Sequence, residues 1–494
     1  MTVQAPIKHP DTFFIDGKWA SPSSSAKINV LNSGTEELFA SVAEAQEADI
    51  NRAVAAARNA FDHGPWPRMT HSERASYLRA IGAELDKRAE ESALIWTAES
   101  GLLNSVAKTR SGALSGIYNY YAGLADTYPF QERHKPLGGG NIGLLVREPV
   151  GVVAAIIPWN APPVLIAYKC APALLAGCTI ILKASPEAPG AAYMIAEVCE
   201  KVGLPPGVLN IVTADREVSE LLVRHPDVDK VTFTGSTAAG RRIASICGER
   251  IARCTLELGG KSAAVILDDY DIEKAAKTIA SRASYLTGQV CSSLTRIIVP
   301  QKRHDAMVEA LSESFGKVKV GNPFDAATEM GPLAMSRQRD RVEGYIAKGK
   351  AEGATLATGG RRPAHLNRGY FIEPTVFGNV DNHSTIAREE IFGPVLSVIS
   401  AADEANAVEI ANDTIYGLNA SVFTNDSDRA YATARQLRSG TVGHNSFRTD
   451  FSIAFGGFKQ SGVGREGGTE GLWNFLETKT VILDELPSTV GRVV

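Results

Sequence analysis

The fold is decided by residues 151–183, which are GVVAAIIPWNAPPVLIAYKCAPALLAGCTIILK. A continuous apolar run at 152–157 is typical of a strand buried on both faces, and the segment 163–175, closed by Gly177, is typical of a helix. A second apolar strand follows at 179–183. Two buried strands joined by a helix form a βαβ unit, so we expect a parallel sheet here.

The same alternation continues along most of the chain. It is interrupted near residue 258 and extends to about residue 465, which indicates two α/β units with a boundary between them. The predicted elements after the first unit are strands at 208–212, 230–233, 263–267 and 294–299, and helices at 187–202, 218–224, 272–285 and 303–315.

A segment of different character precedes the first βαβ unit. Residues 129–148 contain Pro129, Pro136 and three consecutive glycines, followed by an apolar strand pattern at 142–146. This pattern predicts a projecting hairpin, and the β-rich tail at 476–483 could pair with it. An exposed hairpin edge usually pairs with another subunit, although a simple surface excursion is the alternative.

The bulk composition is that of a globular enzyme of two or three domains. The 494 residues exceed what one compact core holds, and 44% hydrophobic against 21% charged residues is ordinary for such a protein. Lys and Arg total 51 against 55 Asp and Glu, a net charge of −4. A nucleic-acid partner is not expected, because such binding needs a basic face.

The cysteines and the N-terminal residues indicate the cellular location of the protein. The six cysteines form no Cys-x-x-Cys pair and no Cys/His cluster with zinc-like spacing, so we expect no metal site and reduced thiols in a cytoplasmic protein. The first 20 residues lack an apolar signal core. The longest apolar stretch, near 150–157, is far shorter than the roughly 18 residues of a membrane span.

Three polar or turn-forming segments follow predicted strands: Pro158-Trp159-Asn160, Lys183-Ala184-Ser185 and Gly235-Ser236-Thr237. Ligands of parallel α/β sheets bind at the carboxyl ends of strands, so these segments are candidates for a binding site. The free N–H groups of a helix opening at Gly235 suit a phosphate, yet GSTAAG is neither GxGxxG nor a P-loop. Taken alone, the GSTAAG segment is also typical of an ordinary helix N-terminus. Lys183 taken alone is also typical of a solvent-exposed residue at the end of a strand.

A thiol and a carboxylate lie in two glycine-rich segments. Cys291 is part of GQVCSS (288–293), and Glu257 is part of LELGGK (256–261). A thiol can attack a carbonyl carbon while a carboxylate removes a proton from water. Each also has a plain structural interpretation: a buried core thiol, a paired carboxylate and, for Asn160, a turn former. The occurrence of all three residues in one chain favours a catalytic role over a structural one.

The chain resembles the NAD(P)-dependent aldehyde dehydrogenase superfamily over essentially its whole length. ELGGK and GQxC together are highly specific signatures. The matching segments are IIPWN (156–160), PAL (172–174) with Gly177, FTGST (233–237), LELGGK (256–261), GQVC (288–291), EEIFGP (389–394), and GG (456–457) through SG (461–462), Gly464 and Arg465-Glu466.

The resemblance implies a three-part α/β architecture, the aldehyde dehydrogenase fold. The expected parts are a Rossmann-like parallel-sheet cofactor domain (1–128 and 149–258), an α/β catalytic domain (259–465) and a small β oligomerisation element (129–148 and 466–494). It also implies a homodimer or homotetramer.

The resemblance implies a catalytic role for each matching residue. Cys291 attacks the aldehyde carbon, and the oxyanion of the thiohemiacetal is held by the Asn160 side-chain amide and the Cys291 backbone N–H. Hydride transfer to the nicotinamide leaves a thioester, which water activated by Glu257 hydrolyses to the carboxylic acid. Lys169 and Glu466 match positions that the family can use for proton relay.

The expected cofactor is NAD, with NADP left open. The family usually has a carboxylate three residues after the strand-end lysine, where it grips the adenosine ribose; here that position is Pro186, with Glu187 next. NAD is favoured because no arginine or extra lysine lies nearby to pair with a 2′-phosphate. The positions that match cofactor contacts are Ile156, Ile157, Pro158, Trp159, Lys183, Ser185, Pro186, Glu187, Gly235, Ser236, Leu258, Glu390 (ribose clamp) and Phe392 (nicotinamide side).

The substrate is expected to be a bulky, largely apolar aldehyde, aromatic or terpenoid. The position after Asn160 is commonly aromatic in the family, and Ala161 here widens the tunnel. No obvious arginine is available to receive a second carboxylate. The expected lining is Ala161, Leu165, Tyr168, Val290, Ser292 and Phe455.

Four other functions remain as alternatives. One is a semialdehyde dehydrogenase acting on a carboxylate-bearing aldehyde. A CoA-acylating variant is disfavoured by Glu257, which that branch generally lacks. A cysteine hydrolase is disfavoured by the absence of an evident histidine partner for Cys291, and a silent binding scaffold by the presence of Cys291, Glu257 and Asn160 together.

Overall fold

The computed structural model describes residues 4–487. The predicted first and last units also include residues 1–3 and 488–494, which lie outside the described residues. The strands are β1 (Phe13–Ile15), β2 (Lys18–Ala20), β3 (Lys27–Leu31), β4 (Leu38–Ala43), β5 (Gln131–His134), β6 (Ile142–Pro149), β7 (Val152–Ile156), β8 (Thr179–Ala184), β9 (Leu209–Thr213), β10 (Lys230–Thr234), β11 (Arg253–Glu257), β12 (Ser262–Ile266), β13 (Leu294–Pro300), β14 (Thr355–Thr358), β15 (Thr375–Gly378), β16 (Val395–Ala401), β17 (Asn419–Phe423), β18 (Thr441–His444), β19 (Gly462–Val463) and β20 (Leu476–Leu483).

Helices connect most of these strands. They are α1 (Glu47–Asp62), α2 (His71–Lys87), α3 (Ala89–Ser100), α4 (Asn104–Ser111), α5 (Leu114–Thr127), α6 (Pro162–Ala176), α7 (Gly190–Lys201), α8 (Arg216–Arg224), α9 (Thr237–Glu249), α10 (Ile272–Ala283), α11 (His304–Gly316), α12 (Ser336–Ala351), α13 (Thr385–Arg388), α14 (Glu404–Asn412), α15 (Ser427–Gln436) and α16 (Gly468–Trp473).

The first sheet contains the predicted βαβ units. Its strand order is β2-β1-β9-β8-β7-β10-β11-β19, and the five strands from β9 to β11 are parallel. All of β7 is buried, and alternate residues face two cores: Val153 and Ala155 pack in one, Val152 and Ala154 in the other. This is the two-sided burial that the continuous apolar run predicts, and the parallel sheet is confirmed.

The register brings the carboxyl ends of the parallel strands to one edge. Ile156 of β7 pairs with Lys183 of β8 and, on the other side, with Phe233 of β10. Thr234 of β10 pairs with Glu257 of β11. The segments that follow these strands therefore start side by side.

Two helix boundaries differ from the sequence pattern. The helix predicted from residue 187 is α7, which begins three residues later because Pro186 and Pro189 hold the intervening chain in a turn. The helix predicted to reach residue 285 is α10, which ends at Ala283. Left-handed backbone at Leu286 (φ +48°) and Thr287 (φ +55°) follows and prevents its continuation.

The second sheet lies in the second half of the chain. Its order is β14-β15-β16-β13-β12-β17-β18, with β15 to β18 parallel and β14 antiparallel at one edge. The two-residue strand β19 returns to the first sheet, where it pairs with β11. The limits of the three units remain a prediction.

The third sheet joins the predicted hairpin to the tail. Its order is β20-β6-β5, and β20 pairs antiparallel with all eight residues of β6, from Leu476 opposite Pro149 to Leu483 opposite Ile142. Between residues 4 and 487, no helix has both the length and the apolar character to cross a membrane. In the same range, no cluster of three or more His, Cys, Asp or Glu side chains is placed to hold a metal ion.

Candidate active site

The loop after β7 is held from behind by the end of α3. Trp96 donates its indole N–H to the Asn160 carbonyl at 2.9 Å, and the Ser100 hydroxyl donates to the Trp159 carbonyl at 2.6 Å. Trp96, Ser100 and Asn160 are all buried. Two hydrogen bonds from one helix thus fix the backbone that positions the Asn160 side chain.

A hydrogen bond joins this loop to the thiol-bearing loop. Asn160 Nδ2 donates to the Gln289 carbonyl at 3.0 Å. The buried Gln289 side chain donates to the carbonyls of Ser100 (3.3 Å) and Leu286 (3.0 Å) and accepts from Ala334 N (2.9 Å). Because a carboxamide nitrogen carries two hydrogens, Asn160 keeps one donor for a further acceptor.

Close backbone contacts place Cys291 against the Gly259-Gly260 turn. A Cβ on Gly260 would collide with the Cys291 carbonyl, and Gly288 (φ +72°) packs on the backbone of Gly393 so that only glycine fits. Cys291 is partly accessible to solvent. Burial raises the pKa of its thiol, and the nearby Glu390 and Glu257 carboxylates add to the rise. This shift favours the neutral thiol over the thiolate.

Glu257 is the last residue of β11, two residues before that turn. Its side chain is 2% exposed, and within the described residues neither of its carboxyl oxygens has a hydrogen-bond partner. Burial raises the pKa of Glu257 well above its ordinary value, and Glu466 contributes in the same direction. A buried, unpaired carboxyl group of raised pKa can serve as a general base for water.

Lys169 and Glu466 form a buried ion pair beside Glu257. Lys169 Nζ contacts Glu466 Oε1 and also donates to Thr232 Oγ1 at 3.2 Å. Glu466 is held by backbone hydrogen bonds in both directions with Phe455, at 2.6 and 2.7 Å. The predicted relay pair is thus assembled from α6 and the segment after β19.

The predicted adenosine side of the site lies at the end of β8. Lys183 is buried, which lowers its pKa to about 8 although Glu187 and Asp215 oppose the shift. The Ser185 hydroxyl donates to the Glu187 carboxylate, and Arg337 of α12 forms an ion pair with the same carboxylate. The expectation that no arginine lies nearby was therefore wrong, because Arg337 comes from the second half of the chain.

Two residues of the second half contact this edge. Glu390 as a whole residue is half-buried, and its carboxylate accepts from Gly260 N at 3.3 Å. The carboxyl group itself points inward, and its burial raises the pKa of Glu390 to about 7. Phe392 has left-handed backbone (φ +62°), and its ring stands edge-on to Trp159 with 5.4 Å between centroids. The remaining predicted contacts lie at the first-sheet edge: Ile156, Ile157, Pro158, Pro186, Gly235, Ser236 and Leu258.

Three stacked rings form a wall near the thiol loop. Tyr168 stacks on Phe451 at 4.4 Å, and Phe451 stacks on Phe455 at 4.1 Å. Sequence reasoning missed Phe451, since its segment shows no periodic pattern. Ala161 and Val290 pack against one small buried cluster. Of the other expected lining residues, Leu165 is buried on α6, and Ser292 is buried with its carbonyl accepting from Asn419 Nδ2 at 3.2 Å.

An arginine also stands at this end of the molecule. Arg110 of α4 is exposed, and its guanidinium carbon lies 5.9 Å from the centre of the Tyr285 ring. Its charge also reaches Tyr168, where it opposes the burial that raises the pKa of that phenol to about 12. The lining therefore has an arginine close to it that the sequence did not indicate.

The parallel sheet, with its ligand-binding edge turned towards the thiol loop, defines an α/β dehydrogenase. The chain matches the sequence profile of the Aldehyde dehydrogenase family over residues 19–481 and belongs to that family. The predicted family and fold are confirmed, and the chain is an aldehyde dehydrogenase, an oxidoreductase acting on aldehydes.

Relatives span nearly the whole chain. Geranial dehydrogenase of Castellaniella defragrans is 43% identical over 471 residues, covering 95% of this chain and 98% of the relative. The 3-succinoylsemialdehyde-pyridine dehydrogenase of a Pseudomonas species is 42% identical, with the same two coverages. Chloroplastic betaine aldehyde dehydrogenase of Amaranthus hypochondriacus is 38% identical, covering 98% of this chain and 97% of the relative.

Solved structures give the same result. The aldehyde dehydrogenase of Mycobacterium tuberculosis complexed with NAD+ has a TM-score of 0.93 at 45% identity, covering 98% of this chain and 99% of that one. A mutant aldehyde dehydrogenase of Pseudomonas syringae complexed with NAD+ and octanal has a TM-score of 0.93 at 38% identity, covering 99% of this chain and 100% of that one.

Proposed function

We propose that this enzyme oxidises a bulky, largely apolar aldehyde to its carboxylic acid with NAD as cofactor. The observation that supports the substrate class is the Tyr168–Phe451–Phe455 stack, a column of three rings of which Tyr168 and Phe451 are partly exposed. Ala161, where the family commonly has a ring, contributes only a methyl group. Flat, apolar substrates gain the most free energy from such a wall. The named activity of the geranial relative agrees with this choice.

The residues at the sheet edge fit a dinucleotide. Lys183 and Glu187 supply a donor and an acceptor for ribose hydroxyls, and Glu390, which contacts Gly260 N, supplies a second acceptor. Ser236 is the N-cap residue of α9; its hydroxyl accepts from Ala239 N, and the other N–H groups of the first turn suit a phosphate. The absence of a side chain at Gly259 leaves room for the Glu390 carboxylate. When bound, NAD supplies the hydride acceptor that converts a thiohemiacetal on Cys291 into a thioester.

The contacts of the catalytic residues support the following roles. Cys291 is the nucleophile. Burial favours its neutral thiol, so the thiol proton passes to solvent water, to which Cys291 is partly accessible, as the sulfur attacks the aldehyde carbon. The second amide hydrogen of Asn160, with the Cys291 backbone N–H, stabilises the oxyanion. Glu257 takes one proton from the water that hydrolyses the thioester. The second water proton goes to the leaving sulfur, so the products are the carboxylate and the regenerated thiol. Lys169 and Glu466 carry that proton away from Glu257.

A second candidate substrate is a semialdehyde that carries a carboxylate. Arg110, placed over Tyr285, favours it, because an exposed guanidinium can pair with a carboxylate. Such a substrate would still lay its middle portion against the aromatic wall.

Location, assembly and domain limits complete the proposal. The enzyme is a cytoplasmic homodimer or homotetramer, assembled through the third sheet, whose outer strands β5 and β20 are its free edges. The cofactor domain (1–128 and 149–258), the catalytic domain (259–465) and the oligomerisation element (129–148 and 466–494) each keep the limits predicted above.

An aldehyde panel tests the proposal. NADH formation with geranial-like, aromatic, long-chain and dicarboxylic semialdehydes should show the highest kcat/KM for a bulky apolar aldehyde, and Cys291→Ala should abolish turnover while retaining NAD binding. A clear preference for the dicarboxylic semialdehyde would select the second candidate. An absolute requirement for CoA would contradict hydrolysis by Glu257.

A further inference from the structure

The loop that bears Cys291 begins with a strained turn. Leu286, Thr287 and Gly288 have positive φ angles of +48°, +55° and +72°, so three consecutive residues are left-handed. Glycine adopts this conformation readily, whereas a β-branched threonine does so only where surrounding contacts hold it there. Tertiary contacts must therefore maintain the turn, which ends three residues before the thiol.

The Thr287 hydroxyl supplies such a contact. The residue is 0% exposed, and its Oγ1 lies 2.9 Å from the Gly331 carbonyl oxygen and 3.1 Å from that of Pro332. Because a hydroxyl carries one hydrogen, the two carbonyls share it. Within residues 4–487, no other hydrogen bond reaches either carbonyl. Loss of the hydroxyl would leave two buried acceptors without a partner, which is unfavourable.

The segment that accepts this hydrogen bond, residues 331–334, is itself firmly anchored. Leu333 is buried in the core of the second half of the chain, and its N–H donates to the Tyr370 carbonyl at 2.9 Å. On its other side the segment packs on Gly101, the C-cap residue of α3, so closely that a Cβ on Gly101 would collide with the Pro332 carbonyl. The helix that supports the Asn160 loop therefore rests on the same segment as the strained turn.

The turn and this segment meet at Gln289. The Gln289 N–H donates to the Leu286 carbonyl at 3.0 Å, which closes the turn, and the Gln289 side chain accepts from Ala334 N at 2.9 Å. The Gln289 carbonyl in turn accepts from Asn160 Nδ2 at 3.0 Å. A shift of the turn would therefore change the position of Cys291 relative to the Asn160 amide.

We propose that Thr287 is a positioning residue for the Cys291 nucleophile, because its hydroxyl holds the left-handed turn against residues 331–332. The sulfur and the Asn160 amide are thereby kept in place around one substrate carbonyl group. This inference rests on the proposed function, in which Cys291 attacks the aldehyde. Thr287 is buried, so it acts through geometry and not by contact with the substrate. A displacement of about 1 Å between reacting groups can lower a rate by roughly 100-fold, so even partial relaxation of the turn is measurable.

Matched substitutions separate this role from a purely structural one. Thr287→Val removes the hydroxyl at nearly constant volume, Thr287→Ala removes the hydroxyl together with the β-branch, and Thr287→Ser keeps the hydroxyl. The control is Thr179→Val, which removes a buried hydroxyl that donates to the Ala57 carbonyl at 2.9 Å. The measurements are the rate constant of the first-turnover NADH burst, the steady-state kcat and KM, the Kd of NAD and the midpoint of thermal unfolding.

Thr287→Val and Thr287→Ala should lower the burst rate constant and kcat by about tenfold or more, while KM and the Kd of NAD change by less than about twofold. Thr287→Ser should recover most of the rate, and Thr179→Val should keep the wild-type burst even if it unfolds at a lower temperature. If Thr287→Val does not fold, Thr287→Ala carries the test.

A double substitution identifies the partner through which Thr287 acts. In the Asn160→Ala background, Thr287→Ala should lower the burst rate by only about threefold or less, because the geometry that the turn maintains has lost its second member. An unchanged burst in Thr287→Ala, no recovery in Thr287→Ser, or equal losses with and without the Asn160 amide would each overturn the proposal. A wild-type enzyme that forms no NADH with any aldehyde, or full turnover in Cys291→Ala, would instead refute the proposed function.

Discussion

Glu187 and Arg337 form an ion pair that connects the end of β8 in the first sheet to the first turn of α12 in the second half of the chain. The Arg337 side chain is 65% exposed and that of Glu187 is 17% exposed. An ion pair with so exposed a partner contributes little stability by itself. Arg337 can therefore exchange Glu187 for another anion at low cost.

This pair predicts the cofactor preference. The Glu187 carboxylate repels a 2′-phosphate, whereas Arg337 attracts one, so Glu187→Gln should raise the NADP/NAD ratio of kcat/KM by about tenfold. Arg337→Ala should lower the use of NADP with little change for NAD, and Arg337→Lys should restore part of it. Steady-state kinetics with both cofactors provide the test. An unaltered ratio in Glu187→Gln would show that Glu187 does not face the 2′ position.

Asn160→Ala should lower kcat by a factor of about 10² to 10³, because one donor to the oxyanion is lost. Binding of NAD, measured by titration calorimetry, should not change. Asn419→Ala is the matched control, since its amide also donates to a carbonyl of the thiol loop, that of Ser292. Equal losses in the two variants would mean that loop displacement, and not oxyanion stabilisation, explains the effect.

Glu257→Gln should give one equivalent of NADH and then stop, because the thioester forms but is not hydrolysed. In the wild type, burial raises the pKa of Glu257. The ionised carboxylate is the active base, so the hydrolysis rate should rise as pH increases towards that raised pKa and fall as pH decreases. Rapid-quench measurement across pH provides the check. A rate that declines with increasing pH would contradict this role.

Ala161→Phe should narrow the substrate space beside the aromatic stack. We expect kcat/KM for a terpenoid or aromatic aldehyde to fall by about tenfold or more relative to acetaldehyde, since the added ring fills space that the substrate needs. Ala161→Ser is the control that adds little volume. Equal changes for large and small aldehydes would place residue 161 outside the substrate path.

Much of the fold and most of the reactive residues could be predicted from local sequence. The continuous apolar runs of β7 and β8 determine buried parallel strands, because only two-sided burial tolerates so few polar residues. Cys291, Glu257 and Asn160 stand in short segments with tight glycine packing, such as Gly260 against the Cys291 carbonyl. Each chemical group is therefore recognisable from its immediate neighbours.

Tertiary structure alone decided which distant side chains complete the site. Phe451 joins the wall by stacking on Tyr168, Arg337 reaches Glu187 from another unit, and Trp96 holds the Asn160 carbonyl from α3. None of them has a local pattern, since their contacts depend on how sheets and helices pack and not on neighbours in the chain. Sequence by itself thus determined the strands and the reacting groups, while packing over long separations determined the walls, the supports and the charges around them.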